Sequence, residues 1–342
     1  MKLISITRIN LWNFNRASKS DKLGIIVIFS ILAAITLGLV AAYQLIGVSR
    51  DYEYYLIYFS WVEDHSYADL FLYRFEPLFA LVTYALTRIN LDGPEIYFCF
   101  VAFSIFLKTY ALRASKNFVR IAFIFLIYYL LRYFTLFEMT VLRAAVAVSL
   151  AFFIFYRRTS YEIKISELIV LTLSALMHYS AILFIFVYIF SPKSRYVSII
   201  MSIAVFISIY IVSSAAITFL AGIIPVFGTY KDFNQATFIP ITVLVDIIYL
   251  VFMLYLWDRS TIPMKISTSA ILLSMAFHFS LIQYSLIAAR LRELLSIFIL
   301  IHLLQVLKIK LTMLERGFLI IFILFSGSVW LVATYFYDPL LL

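Results

Sequence analysis

The sequence is poor in the residues from which soluble catalytic sites are commonly built. Its 342 residues include one cysteine, Cys99, together with four histidines, eight glycines and seven prolines. A single cysteine excludes an intramolecular disulfide and a thiolate metal site. The sequence also has no glycine-rich phosphate loop and no pair of metal-spaced histidines. We therefore predict neither a metal site nor another cofactor.

Charged residues are scarce as well, and this places the protein in a membrane. Only 13% of the residues are charged, 65% are hydrophobic, and the mean hydropathy is +1.03. These values and the repeated long apolar runs exclude a soluble globular protein, and the runs are too continuous for barrel strands. We predict an all-α polytopic membrane protein with about 10–12 transmembrane or re-entrant helices. No repeat or linker divides it, so residues 1–342 form one membrane domain.

The net charge of +9 is explained by orientation in the membrane rather than by nucleic acid. Lysines and arginines cluster at the ends of apolar runs, where they orient spans and contact anionic lipid. The basic segment 1–22 predicts a cytoplasmic N-terminus before a first span at 24–48. An acidic and aromatic outer loop is then expected at 49–75, and a second outer loop at 213–239.

Two apolar stretches are expected not to cross the membrane fully. A full crossing by 76–89 would place Arg113 and Arg120 outside, against the positive-inside trend, so a re-entrant or peripheral helix is favoured. The stretch 167–190 has basic residues before and after it. We predict a hairpin of two short helical segments with His178 at its outer tip, and a single tilted span is the alternative.

This topology gathers several charged residues at the outer ends of spans. External arginines run against the positive-inside trend, and a guanidinium offers a donor fork that suits phosphate or carboxylate. Anion binding is therefore the functional interpretation. The outer candidates are Asp51, Glu76, Arg143, His178, Arg290 and Arg292.

Each candidate also has a purely structural interpretation. Arg143 can pair with Glu138, and His178 can hydrogen-bond a backbone carbonyl. Arg290 and Arg292 can anchor a helix end. Glu76, which precedes Pro77, suits the N-terminus of a helix. One further acid, Asp246, lies inside an apolar run with no partner evident from the sequence.

The order of these elements resembles the EpsG-like polysaccharide polymerases, a branch of the Wzy-type O-antigen and exopolysaccharide polymerases. The resemblance is carried by four segments and a later arginine pair: Arg50-Asp51-Tyr52, Phe75-Glu76-Pro77-Leu78-Phe79, Thr140 to Ala147, Met177 to Ala181, and Arg290-Leu291-Arg292. The family often has Arg-Gln where this chain has Arg143-Ala144, which leaves the arginine but not the amide.

The resemblance implies a fold related to the C-type membrane glycosyltransferases, in the bacterial inner membrane. It also implies transfer of a growing glycan from undecaprenyl diphosphate to the next lipid-linked repeat unit, at the outer face. Undecaprenyl-diphosphate-linked oligosaccharides and the lipid bilayer would be the partners, with a chain-length regulator as a further candidate. Asp51, Glu76 and His178 would be the catalytic candidates; Arg143, Arg290, Arg292 and Tyr230 would bind diphosphate or glycan.

Two other functions remain open from the residues. A flippase or transporter of lipid-linked glycans would suit the same substrates, although transporters commonly carry internal repeats, which this chain lacks. A membrane acyltransferase that modifies surface sugars would also suit histidine and arginine at a membrane edge.

If the polymerase assignment is correct, Arg143→Ala and His178→Ala should each abolish long-chain polymer while the protein remains in the membrane. Single repeat units on the lipid carrier should accumulate, because assembly of the repeat precedes polymerisation. Gel analysis of chain-length ladders measures both effects. Normal ladders in both variants would contradict the assignment.

Overall fold

The protein is an all-α polytopic membrane protein, as predicted. A computed structural model describes residues 19–72, 75–115, 117–190, 192–223 and 240–337, and no strand occurs within these ranges. The α-helices are α1 Lys19–Ala42, α2 Tyr52–Asp64, α3 Pro77–Thr87, α4 Gly93–Ala111, α5 Phe118–Arg132, α6 Leu142–Arg157, α7 Ile165–Met177, α8 Ile182–Phe190, α9 Arg195–Ile223, α10 Ile241–Tyr255, α11 Ile262–Ser280, α12 Ser285–Val306 and α13 Met313–Val332. Two π-helices, Phe134–Thr140 and Ala333–Tyr337, follow α5 and α13.

Helix length separates candidate spans from shorter apolar helices. Five described helices are long and apolar enough to cross a membrane, and the bent pair formed by α5 and its π-helix would make six. Four apolar segments are shorter: Pro77–Thr87, Ile165–Met177, Tyr179–Phe190 and Ile241–Tyr255. The bundle therefore combines helices of membrane-crossing length with shorter apolar helices.

The segment expected as an outer loop at 49–75 is largely helical. Tyr55, Tyr58, Phe59 and Val62 recur on one face of α2 and are buried, which is the spacing of an amphipathic helix. A short 3-10 helix, Tyr67–Leu72, follows α2. The acidic residues of α2, Glu53, Glu63 and Asp64, are exposed, and the placement of this segment outside the membrane stays a prediction.

Helix α3 is too short to cross, which supports the prediction for 76–89. Its 11 residues span about 16 Å, roughly half of a bilayer core. Pro77 occupies its first turn, and a capping box of Asp92 and Glu95 begins α4 directly afterwards. Because α2 packs on Gly93 through Leu56, α2 and the start of α4 lie at one end of the bundle.

The stretch 167–190 forms the predicted hairpin, and the single tilted span is excluded. Tyr188 Oη near the end of α8 donates to Glu167 Oε2 in the first turn of α7 at 2.6 Å. The same hydroxyl accepts from the amide of Lys164 at 3.0 Å. His178 ends α7 in an extended conformation and thus lies at the turn.

Polar contacts define the two ends of the bundle. At the lower end, Ser115 Oγ lies 2.5 Å from Tyr156 Oη, and Gln305 Nε2 donates to the Tyr156 carbonyl at 2.7 Å. Helices α4, α6 and α12 all terminate there. The upper end holds Glu76, Arg143 and the His178 turn, and the candidate site is built there.

Close packing of α1 on α4 should make Gly38 intolerant of a side chain. A Cβ atom at Gly38 would lie 2.8 Å from the Phe98 ring, whereas a Cβ at Gly24 of the same helix meets nothing within 4 Å. We expect Gly38→Leu to destabilise the protein by about 1–3 kcal/mol through overpacking. Thermal unfolding in detergent measures this, with Gly24→Leu as the control. Equal melting temperatures for the two variants would contradict the packing.

Candidate functional site

The side chain of Glu76 is the centre of the candidate site. Glu76 occupies the N-cap position of α3 without a capping hydrogen bond from its side chain, and this side chain is only 4% exposed. One oxygen, Oε2, accepts from Arg143 Nη1. The other, Oε1, lies 3.1 Å from His178 Nδ1 and accepts from the Tyr179 amide at 3.3 Å. A single carboxylate therefore joins α3, α6 and the tip of the α7–α8 hairpin.

Arg143 enters the site from the first turn of α6. Its guanidinium lies 4.4 Å above the Phe75 ring, and the Tyr55 side chain is close enough to interact with it electrostatically. The structural alternative, a pair between Arg143 and Glu138, does not form, because Glu138 pairs with Lys108. The Nε atom of Arg143 is buried, but about a fifth of the Arg143 side chain is exposed, so the exposed part of the guanidinium can meet a ligand.

His178 has its imidazole oriented by the Glu76 carboxylate. An ionised carboxylate only accepts hydrogen bonds, so Nδ1 carries the proton and a neutral ring leaves the lone pair on Nε2. The structural interpretation of a bond to a backbone carbonyl is therefore replaced by a side-chain partner. The His178 side chain is 20% exposed. In this pair His178 can act as a base, and the Glu76 carboxylate sets the orientation of its ring.

Electrostatics bring Asp51 and Arg290 into the same region. Burial raises the pKa of Asp51, and the charges of Arg290, Arg143 and Arg50 oppose that rise. Asp51 precedes α2, and Arg290 is an exposed residue in the second turn of α12. Three predicted site residues, Glu76, Arg143 and His178, are in direct contact, and Asp51 and Arg290 are linked to them by the charges that act on Asp51.

Arg292 belongs to a different cluster. Two residues after Arg290, it lies on another face of α12, and its Nη1 donates to Asp246 Oδ2 at 3.1 Å. Arg132 Nη2 donates to the other oxygen of Asp246 at 2.7 Å. The two arginines are the partners of Asp246 that the sequence did not reveal. All three side chains are at most 5% exposed. Tyr230 lies outside the described residues.

Sequence reasoning also missed neighbours of the site. Tyr55 lies on the buried face of α2 and interacts with Arg143. The helical spacing of the aromatic residues in 52–64 is the signal that could have identified it. Phe75 belongs to the Phe-Glu-Pro-Leu-Phe segment, and its contact with Arg143 is not evident from the sequence. Among the described residues, no group of three or more histidine, cysteine, aspartate or glutamate side chains could hold a metal ion.

Comparison with known proteins identifies one family. The model of the family described as EpsG matches residues 27–341 of the chain, which is nearly its whole length. No curated protein and no solved structure matches the chain. The relation to C-type glycosyltransferases therefore stays a prediction.

The charge of Glu76 should stabilise the fold in a pH-dependent way. Burial opposes ionisation, but the hydrogen bond from His178 and the charge of Arg143 lower the pKa of Glu76 from 4.5 to about 2. Such a group contributes stability above pH 4.5 that is lost as the pH falls toward 2. We expect Glu76→Gln to cost on the order of 3 kcal/mol at neutral pH.

Melting temperatures of wild type and Glu76→Gln from pH 7 to pH 2.5 test this, and the gap between them should close as the pH falls. Glu53→Gln, at an exposed position at the same end of the bundle, is the control. A gap that stays constant with pH would show that the ionised carboxylate is not the stabilising form.

Proposed function

Since the chain belongs to the EpsG family, we propose that it is a membrane polysaccharide polymerase. In this proposal it transfers a growing glycan from undecaprenyl diphosphate to the next lipid-linked repeat unit. The observation that carries the proposal is the convergence of Arg143 and His178 on the Glu76 carboxylate at the upper end of the bundle. An anion-binding group and an oriented base then lie side by side.

In the reaction, a hydroxyl oxygen of the acceptor sugar attacks the anomeric carbon of the donor glycan. The bond between that carbon and the diphosphate oxygen breaks, and undecaprenyl diphosphate leaves. His178 Nε2 takes the hydroxyl proton as general base. Arg143 donates hydrogen bonds to the diphosphate as its negative charge grows, which is the electrostatic form of catalysis.

Glu76 orients the other two groups and does not itself take the proton. A carboxylate with a pKa of about 2 is a weak base, and both of its oxygens already accept hydrogen bonds. Its pairing holds Arg143 in place and holds the proton of His178 on Nδ1. This narrows the expectation in which Glu76, Asp51 and His178 are all candidates for the base or for an orienting acceptor.

Asp51 and Arg290 extend the site toward the substrates. Asp51 is partly buried just before α2, and its carboxyl group is the type of group that hydrogen-bonds a sugar hydroxyl. The exposed Arg290 guanidinium supplies a second positive group for a lipid diphosphate. Arg292, held by Asp246, serves the packing of α12 in this proposal.

The charges at the two ends support an upper end that faces outward. The lower-end connections are rich in cations, which favours a cytoplasmic location. These residues are Arg113, Arg120, Arg157, Arg158, Lys164, Lys193, Arg195, Arg259, Lys265, Lys308 and Lys310. A cytoplasmic N-terminus and an outward-facing site follow from this orientation.

Purified protein in liposomes, supplied with undecaprenyl-diphosphate-linked repeat units, tests the proposal. A polymer ladder with release of undecaprenyl diphosphate and no need for an ion gradient is the expected result. Movement of the intact lipid-linked glycan across the bilayer without polymer would favour a flippase. Transfer of an acyl group to the glycan would favour an acyltransferase.

In the same assay, His178→Ala should lower kcat by about 10²–10⁴-fold, the range for loss of a general base. Arg143→Lys should lower kcat/KM because an ammonium cannot reproduce the planar donor fork. His65→Ala is the matched control, since His65 lies at the same end but contacts Trp61. An unchanged kcat in His178→Ala would remove the proposed base.

A further inference from the structure

A sharp bend directly precedes Arg143. The π-helix Phe134–Thr140 turns away from α5 by 70°, and all seven of its residues are buried. Helix α6 then starts at Leu142 and carries Arg143 in its first turn. π-Helices are rare and frequently lie at functional sites. Because α6 begins directly after this bend, the groups that hold the bend also set the direction of the Arg143 guanidinium.

A fully buried ion pair holds the bend from inside the bundle. Lys108 Nζ of α4 lies 2.7 Å from Glu138 Oε1, and both side chains are 0% exposed. The same carboxylate oxygen is contacted by Ser104 Oγ at 3.0 Å and by Tyr129 Oη at 2.5 Å. Three groups from two helices therefore converge on one residue of the π-helix.

The lysine also reaches the start of α6. Lys108 Nζ donates to the carbonyl of Ala145 at 3.1 Å, two residues after Arg143. Tyr97 Oη of α4 donates to the carbonyl of Met139 at 2.7 Å. Helix α4 thus hydrogen-bonds the chain before and after Leu142. Lys108 contacts both the π-helix and the first turn of α6.

Stability alone is a poor explanation for this pair. A buried ion pair costs desolvation, and well-packed apolar residues of similar size commonly stabilise as well or better. Ionisable groups inside a membrane bundle usually serve function. Because Lys108 and Glu138 are completely buried, they cannot contact a glycan or a diphosphate. Their effect on the site must pass through the backbone they hold.

We propose that Lys108 and Glu138 are positioning residues that fix the π-bend and thereby aim the Arg143 guanidinium at the substrate diphosphate. The inference rests on the proposed function, because it assumes that Arg143 binds diphosphate. Loss of the pair relaxes the turn between Glu138 and Ala145. The arginine then samples orientations that do not match the diphosphate, and binding weakens.

The test is a double-mutant cycle read by binding of undecaprenyl diphosphate to the full-length protein in detergent. Lys108→Met/Glu138→Gln removes both charges together, so no unpaired charge is left buried and the melting temperature should stay near that of wild type. We expect binding to weaken by about tenfold with Arg143 present. In an Arg143→Lys background the same change should have no further effect, because the two sites are coupled.

The matched control is Arg259→Met/Glu315→Gln, which neutralises an ion pair at the lower end and should leave binding unchanged. Wild-type affinity in a folded Lys108→Met/Glu138→Gln protein overturns the inference. Equal losses in the Arg143 and Arg143→Lys backgrounds also overturn it, since they show a general effect on the fold.

If the double variant does not fold, Tyr97→Phe provides a milder release of the bend by removing the hydrogen bonds of the Tyr97 hydroxyl to the carbonyls of Glu138 and Met139. Binding weakened only with Arg143 present supports the inference, and unchanged binding overturns it. A wild-type protein that does not bind undecaprenyl diphosphate overturns the proposed function, and the inference falls with it. The two failures are thus told apart by the wild-type measurement.

Discussion

The upper end of the bundle depends on how one carboxylate, that of Glu76, is neutralised inside an apolar protein. A charge this deeply buried is tolerated only when it is paired and hydrogen-bonded. Arg143 and His178 provide that pairing from positions 67 and 102 residues away. Satisfying Glu76 therefore requires α3, α6 and the α7–α8 hairpin to meet. The contacts that neutralise the Glu76 charge are therefore the same contacts that assemble the candidate site.

Other buried charges of the bundle must also be paired, but their clusters are closed to solvent. Lys108 and Glu138 pair around the π-bend, and Asp246 pairs with two arginines from α5 and α12. These clusters are sealed, with side chains at most 5% exposed, whereas Arg143 and His178 keep about a fifth of their side chains exposed. Exposure separates the groups that can meet a substrate from those that hold helices together.

Short helices make this geometry feasible in a membrane. A full span carries its two ends to opposite sides of the bilayer, but the α7–α8 hairpin returns to its starting side and leaves a turn near the site. Tyr188 joins the two ends of the hairpin by a hydrogen bond to Glu167. This bond fixes the two helices whose connecting turn carries His178. Helix α3 is likewise too short to cross the membrane, and Glu76 lies at its N-cap position. Membership of the EpsG family and this arrangement support the same polymerase proposal.

Sequence alone determined the membrane class, favoured a short helix at 76–89 and a hairpin at 167–190, and supplied the site candidates. These follow from local properties, namely apolar run length, the positions of basic residues and the cost of a charge beside a span. Sequence did not determine the helix within 49–75, the partners of Glu138 and Asp246, or the separation of Arg290 from Arg292. Those depend on which helix faces pack together, and the pairs involved are 30 to 114 residues apart. Hydropathy records how deeply a residue is buried, but only the packing of helices decides which buried charge meets which.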